Sequence, residues 1–114
     1  MAQFMVIMRG SQEYFYKMSE DQQKEVIKQH IAWSKILTEK NILVSGNGFS
    51  RNYAHLEKIN DFFIDSNGRY DNTENEYSGY YIIECETLDD AIVICRDCPA
   101  LDYNEKLDII EIGH

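Results

Sequence analysis

The side chain in this sequence best suited to chemistry at neutral pH is that of His30. An imidazole with a pKa of about 6.5 can take up and release a proton, as general acid–base catalysis requires. His30 follows Val26 by four residues and precedes Trp33 by three, so it lies on or beside the buried face of a helix. The alternative is a histidine at the helix edge that packs against Trp33 and bonds a backbone carbonyl. His55 and His114 are expected at the surface.

Other side chains could bind a small molecule. Arg9 ends the first predicted strand and could hold an anion by a bidentate contact, or form a salt bridge with one of the many carboxylates. Asp65 and Tyr70 are the expected polar partners of His30, because the strand and turn that carry them could approach its helix. Several aromatic residues could line a pocket for a ring or simply belong to the core: Trp33, Tyr70, Tyr80 and Tyr81.

The cysteines and acidic residues do not indicate a metal or cofactor. Cys95 and Cys98 have the spacing of a redox motif, but they lie at the end of a predicted helix beside Asp97, where a thiolate is disfavoured. A second ligand pair at matched spacing, as a zinc site needs, is missing. The acidic loop at residues 71–76 lacks the spaced ligands and central glycine of an EF-hand and is expected to be solvated. We expect neither a metal nor a cofactor.

Composition limits the class of protein. The 114 residues are 44% hydrophobic and 27% charged, and the net charge is −9. An acidic surface disfavours binding to nucleic acid or to a membrane surface. No apolar run approaches the roughly 20 residues that span a bilayer, and the first residues do not resemble a signal peptide. The expectation is one cytoplasmic domain over residues 1–114.

The elements that must position these residues follow from periodicity and capping. Ser19, with Gln22 at the capping-box position, predicts a helix to about Lys40 that ends at Asn41. Thr87 caps a second helix that ends at about Asp97. Strands are predicted at residues 4–9, 42–45, 54–59, 61–65, 79–85 and 106–112, with a loop at 12–18, a bend at Asn60 and a tight turn at 65–68. This order predicts an α+β fold of the ferredoxin-like split βαβ type with an antiparallel sheet.

Three of these strands are apolar on both faces. In residues 79–85, Tyr81 and Ile83 lie on one face and Tyr80 and Ile82 on the other. The strands at 4–9 and 106–112 also carry apolar residues on both faces. Two helices can cover only one face of the sheet, so a second copy of the chain is the simplest cover for the other. We therefore expect a homodimer, disrupted by a charge at Ile82 or Tyr81, whichever points outward.

The stretch SGYYIIECETLDDAIVICRDCPA resembles the C-terminal half of the YCII-related family, in the subgroup named for a DGPF motif. That subgroup reads Gly-Gly-Tyr-(Tyr/Phe), a strand, an acidic residue, Leu-Asp-Glu-Ala, a helix and Cys-Pro. Asn67-Gly68-Arg69-Tyr70 falls where the family has Asp-Gly-Pro-Phe, with only the glycine identical. The first strand, the capped helix and ILVSGNG also match.

This resemblance implies a dimeric α+β barrel built from ferredoxin-like subunits. It also implies chemistry without a cofactor on a small organic molecule, since some members are suspected of it. In YCII proteins proper a histidine on the first helix, paired with an aspartate, is the suspected catalytic dyad, and His30 falls close to that position. Two hypotheses remain open: an enzyme with His30 as acid or base, or a non-catalytic module that binds a small molecule in the same cleft. The first requires a carboxylate or hydroxyl partner for His30 inside a cleft; the second requires only an aromatic pocket.

Overall fold

The computed structural model of the chain describes residues 1–68 and 76–113, with the side chains of residues 66–68 excepted. Within these ranges six strands are present: β1 (Ala2–Arg9), β2 (Leu43–Gly48), β3 (Tyr53–Ile59), β4 (Phe62–Gly68), β5 (Tyr77–Cys85) and β6 (Lys106–Ile112). Three α-helices accompany them: α1 (Glu13–Tyr16), α2 (Glu20–Glu39) and α3 (Leu88–Cys95). A 3₁₀ turn follows at Pro99–Asp102.

Four strands form an antiparallel sheet in the order β2-β5-β1-β6, and β3 and β4 form a separate antiparallel hairpin. Helix α2 connects β1 to β2, and α3 connects β5 to β6. In each case one other strand of the four-stranded sheet lies between the two connected strands. This is the split βαβ arrangement that the sequence predicts, so the ferredoxin-like α+β fold is confirmed. A bulge at Ser78 shifts the pairing of β5 with β1, since Met8 pairs with Gly79 but Arg9 pairs with Tyr77.

Both long helices pack on one face of the sheet. Phe4, Val6 and Ile83 on that face are fully buried, and they share one core with Trp33 of α2 and Ala91 of α3. The capping box at Ser19 and Gln22 is present, and Thr87 caps α3, as predicted. Among the described residues, no helix is both long and apolar enough to cross a membrane.

The other face of the sheet is largely apolar, and no helix of the described residues packs on it. We call it the helix-free face, and it is formed by Met5, Ile7, Tyr80, Ile82, Ile110 and Ile112. Ile110 and Ile112 remain 53% and 43% exposed. Ile82 belongs to this face, whereas Tyr81 points toward the helices and is buried.

Several local predictions need correction. Residues 13–16 form α1 inside the predicted loop. The tight turn predicted at residues 65–68 is wrong, because β4 continues through Gly68. The hairpin turns instead at Asn60 and Asp61, both with positive φ, so the predicted bend at Asn60 is confirmed and takes over the role of that turn. Strand β2 runs on to Gly48, and α3 ends at Cys95, two residues before the predicted end.

Candidate functional site

His30 connects helix α2 to the centre of the sheet. The neighbouring α2 residues Val26 and Trp33 are buried, which places the half-buried His30 at the edge of the helix face that packs on the sheet. Its Nδ1 lies 2.7 Å from the hydroxyl oxygen of Tyr81 on β5. The polar partner of His30 is therefore a tyrosine hydroxyl. A bond to a backbone carbonyl, the alternative weighed from the sequence, is not what holds this ring.

The Tyr81 ring is held in place on two sides. The Trp33 ring meets it edge-on, with 5.0 Å between ring centroids. On the β2 side it lies against Gly46, where a Cβ atom would come within 2.7 Å of the Tyr81 ring. Only glycine leaves room for the Tyr81 ring at this position. The pairing of Gly46 with Tyr81 therefore helps to fix the position of the hydroxyl that His30 contacts.

Burial keeps both partners of this pair uncharged at neutral pH. Burial lowers the pKa of His30 below 6.5, since the imidazolium loses its hydration. Burial also raises the pKa of Tyr81, and the neighbouring Ser34 hydroxyl lowers it by a smaller amount. In a hydrogen bond between a neutral imidazole and a neutral phenol, either group can be the donor, because the hydroxyl can both donate and accept.

The pair borders a cavity of about 500 Å³ between α2, α1 and the sheet, which we call the His30 cavity. Its polar lining includes His30, Tyr81, Ser34, Ser78, Gln12 and Glu105. Its apolar lining includes Met8, Phe15, Val26, Ile27, Ile31 and Phe49. A cavity of this size with an apolar wall and a few converging polar groups is typical of a small-molecule site.

Glu105 is the carboxylate of the His30 cavity. It immediately precedes β6, and its Oε1 accepts hydrogen bonds from the Ser78 hydroxyl and, at 3.2 Å, from Gln12 Nε2. Burial raises the pKa of Glu105, and these two hydrogen bonds oppose the rise. Burial thus shifts the pKa values of two titratable groups in this cavity, and shifted pKa values in a cleft are common at functional sites.

A buried ion pair supports the wall of the cavity. Glu76 is fully buried, and both its carboxylate oxygens accept from one nitrogen of Arg51, at 3.0 and 3.2 Å. The Arg51 guanidinium lies 4.9 Å from the centre of the Tyr16 ring, and Tyr16 lines the cavity. The expectation of a solvated loop at residues 71–76 is therefore wrong for Glu76, and residues 71–75 lie outside the described part of the chain.

The other predicted site residues are not gathered around His30. Arg9 pairs through Nε with Asp108 at 2.6 Å on the helix-free side of the sheet. Trp33 lies behind Tyr81 rather than on the cavity wall. Asp65 is exposed on the β3–β4 hairpin opposite Leu56, and Tyr70 lies outside the described residues.

The cysteines are structural. Cys85, Cys95 and Cys98 are free and buried, and burial raises the pKa of Cys95 to about 11 and that of Cys98 to about 12. These thiols stay protonated at neutral pH and are poor nucleophiles. Within residues 1–68 and 76–113, no group of three or more His, Cys, Asp or Glu side chains is arranged to hold a metal ion.

Sequence reasoning identified His30 but missed Tyr81 and Glu105 as its companions. Tyr81 is expected in a pocket for a ring or in the core, but not as a partner of His30, and the signal that points to it is Gly46, a small residue in the facing strand. Glu105 is not among the predicted site residues, although it directly precedes the strand that pairs with the end of β1. Ser78 lies just before the predicted strand at residues 79–85, and its inward position depends on the β5 bulge.

Comparison with known proteins gives a family match. The family model described as the YCII-related domain matches residues 2–112, nearly the whole chain. No curated protein matches it. The matched span contains α2, β5 and β6, so the His30–Tyr81 pair and Glu105 belong to the region that defines the likeness.

Proposed function

The chain belongs to the YCII-related domain family, and from that premise we propose that it is a cofactor-independent enzyme acting on a small organic molecule. The reaction takes place in the His30 cavity, with His30 as the acid–base group. The observation that carries this proposal is the 2.7 Å contact between His30 Nδ1 and the Tyr81 hydroxyl at the wall of a cavity large enough for a small ligand. A carboxylate or hydroxyl partner in a cleft is what the enzyme hypothesis requires.

The proton step can be written from this contact. With Nδ1 protonated and donating to Tyr81, His30 Nε2 carries a lone pair and takes a proton from the substrate. The imidazolium that forms keeps its Nδ1–H bond to the Tyr81 oxygen, so the ring does not need to move. It then returns the Nε2 proton to another substrate atom or to a leaving group, as in an isomerase or a lyase. The lowered pKa of His30 keeps the starting imidazole neutral at physiological pH.

The proposal includes a homodimer formed through the helix-free face. Six apolar side chains lie on that face, and the two at its β6 edge remain about half exposed. An apolar sheet face of this kind is stabilised when a second copy covers it. The Arg9–Asp108 and Gln3–Glu84 pairs lie on the same side of the sheet and would flank such an interface.

A non-catalytic binding module remains the second candidate function. Phe15 and Phe49 in the cavity wall favour it, because aromatic side chains bind flat apolar ligands without any proton transfer. The two candidates differ only in turnover, so the deciding experiment must detect product.

The experiment incubates the purified protein with a polar metabolite extract and identifies consumed and formed compounds by mass spectrometry. The wild type is compared with His30→Gln, which keeps a hydrogen-bonding group but cannot titrate, and with His55→Gln on the exposed hairpin as the matched control. We expect turnover by the wild type and His55→Gln, reduced about a hundredfold or more in His30→Gln. Turnover retained by His30→Gln would refute the acid–base role. Binding of a compound without any conversion would favour the binding module.

A further inference from the structure

The Glu105 carboxylate has one oxygen available to a bound molecule. The hydrogen bonds that it accepts from Ser78 and Gln12 both end on Oε1. Oε2 accepts none from the residues that the structure describes, and Glu105 lines the His30 cavity. A carboxylate has room for about four hydrogen bonds, so this group can still accept a strong donor from a ligand.

The charge balance of the cavity favours a cation as that donor. No lysine or arginine is among the described residues that line the cavity, and the nearby Arg51 is paired with Glu76. Ser78 and Gln12 are neutral donors, so they leave the charge of the Glu105 carboxylate uncompensated. A half-buried carboxylate without a counter-ion is destabilised, and a bound cation would offset that cost.

The cavity walls are also suited to a cation. Phe15 and Phe49 line the cavity with aromatic rings, which attract positive charge, whereas the Tyr16 ring already contacts Arg51 and the Tyr81 ring is packed against Trp33. His30 is neutral at physiological pH and so does not repel a cation. At longer range, the net charge of −9 favours the approach of cations over anions.

We propose that the molecule bound in the His30 cavity is a small organic amine, held in its ammonium form by Glu105 and enclosed by the aromatic walls. This inference rests on the proposed function in that it assigns a substrate class to the same cavity. The ammonium group donates to Oε2 of Glu105, and the apolar part of the ligand lies against Phe15, Ile27 and Phe49. His30 then faces the ligand from the α2 side of the cavity.

The test uses three probes of one shape and different charge: benzylamine, benzyl alcohol and benzoate. Binding is measured by NMR titration of the ¹⁵N-labelled full-length protein, at probe concentrations up to about 10 mM, which suit weak ligands of fragment size. We expect benzylamine to bind at least about tenfold more tightly than benzyl alcohol, and benzoate to bind most weakly. The amide signals that shift should be those of residues around the cavity.

Two variants and a control separate this inference from the catalytic proposal. Glu105→Gln keeps the shape and the hydrogen bonds but removes the charge, and it should abolish the preference for benzylamine. Glu111→Gln makes the same change at an exposed position of β6 and should leave the preference unchanged. His30→Gln is compared only by the order in which it binds the three probes, because its side chain faces the ligand, so a loss of turnover in that variant does not affect this test.

Three results would overturn the inference whatever the outcome for His30. They are equal binding of the three probes, tighter binding of benzoate, and the absence of benzylamine binding. The comparison among probes is made on the wild type, so it stands even if a variant fails to fold. A preference for benzylamine that survives in Glu105→Gln would likewise refute the role of this carboxylate.

Discussion

The hydrogen bond between His30 and Tyr81 joins two buried side chains, and giving either of them a charge would cost free energy. Burial lowers the pKa of the imidazole and raises that of the phenol, so both stay neutral over the physiological range. A buried imidazole of this kind costs stability when it is protonated and leaves the ring able to act as a base. The same property can be measured as a dependence of stability on pH.

His30→Gln should therefore reduce the loss of stability in mild acid. In the folded wild type the imidazole binds a proton only at a lower pH than it does in the unfolded chain, so the free energy of unfolding falls as the pH drops below 6.5. Glu105, with its raised pKa, acts in the opposite direction, because its contribution is lost as the pH rises, and it titrates in both proteins. Urea unfolding at about pH 7.5 and about pH 5 measures the difference.

The control for this measurement is His55→Gln, an exposed histidine on the hairpin. That variant should lose as much stability between the two pH values as the wild type does. If His30→Gln and the wild type show the same dependence on pH, the imidazole is not held neutral by burial and its assignment as a base is wrong.

At the residue scale, His30 could be predicted from the sequence, but its partners could not. The position of His30 follows from helical spacing around Val26 and Trp33, which is a local pattern. Tyr81 and Glu105 reach the cavity through strand pairing and through the β5 bulge, which depend on distant parts of the chain. Without the register of the sheet, Asp65 was as reasonable a partner as Tyr81.

Among the elements, β2 has a particular role, because its glycines set how closely β2 approaches the Tyr81 ring. A Cβ atom at Gly46 would lie 2.7 Å from that ring, whereas at Gly48 its nearest neighbour would be the Ser78 carbonyl oxygen at 3.9 Å. The two glycines lie on the same face of the same strand and differ in what they touch. They therefore form a matched pair for testing how the strand positions the site.

Gly46→Ala should displace the Tyr81 ring and weaken its contact with His30. The ring is backed by Trp33 and cannot move without cost, so we expect a loss of about 1–3 kcal/mol in the free energy of unfolding. Gly48→Ala should change it by no more than about 0.5 kcal/mol, as at an open surface position. Urea denaturation followed by tryptophan fluorescence checks both values. Equal effects of the two substitutions would show that Gly46 does not position Tyr81.

The helix caps and the strand alternation made most elements predictable, including the bounds of β6. The hairpin turn was the exception, since Asp65-Ser66-Asn67-Gly68 has the composition of a tight turn but lies in β4. Asn60 and Asp61 adopt positive φ instead, which asparagine and aspartate tolerate better than most residues. Two nearby segments could each form the turn, and local composition does not decide between them.

For the whole molecule, the main unpartnered feature is the helix-free face. The family match extends over nearly the entire chain, and the fold is the ferredoxin-like one that the element order predicts. The apolar alternation on both faces of β1, β5 and β6 was visible in the sequence. A single chain does not specify what covers the second face.

Ile82→Glu should convert a dimer into monomers or unfold the chain. Ile82 lies at the centre of the helix-free face, so a buried carboxylate there would lack a counter-ion. Ile110→Glu, at the more exposed edge, is the milder variant and should dissociate the dimer while leaving the circular dichroism spectrum unchanged. Val93→Glu, at an exposed position of α3, is the control. Sedimentation velocity at micromolar concentration should show a wild-type dimer; a stable wild-type monomer would contradict the assignment of this face.

The most direct test of the central claim, that His30 is a ligand-facing acid–base group, is an NMR titration of its imidazole. Long-range ¹H–¹⁵N spectra give the tautomer and the titration midpoint of His30 and of His55 in the same sample. We predict a neutral His30 ring at physiological pH, a midpoint below 6.5, and a change in the His30 signals when benzylamine or another of the three probes binds, with no change at His55. A midpoint at or above 6.5, together with signals that no probe affects, would contradict the account.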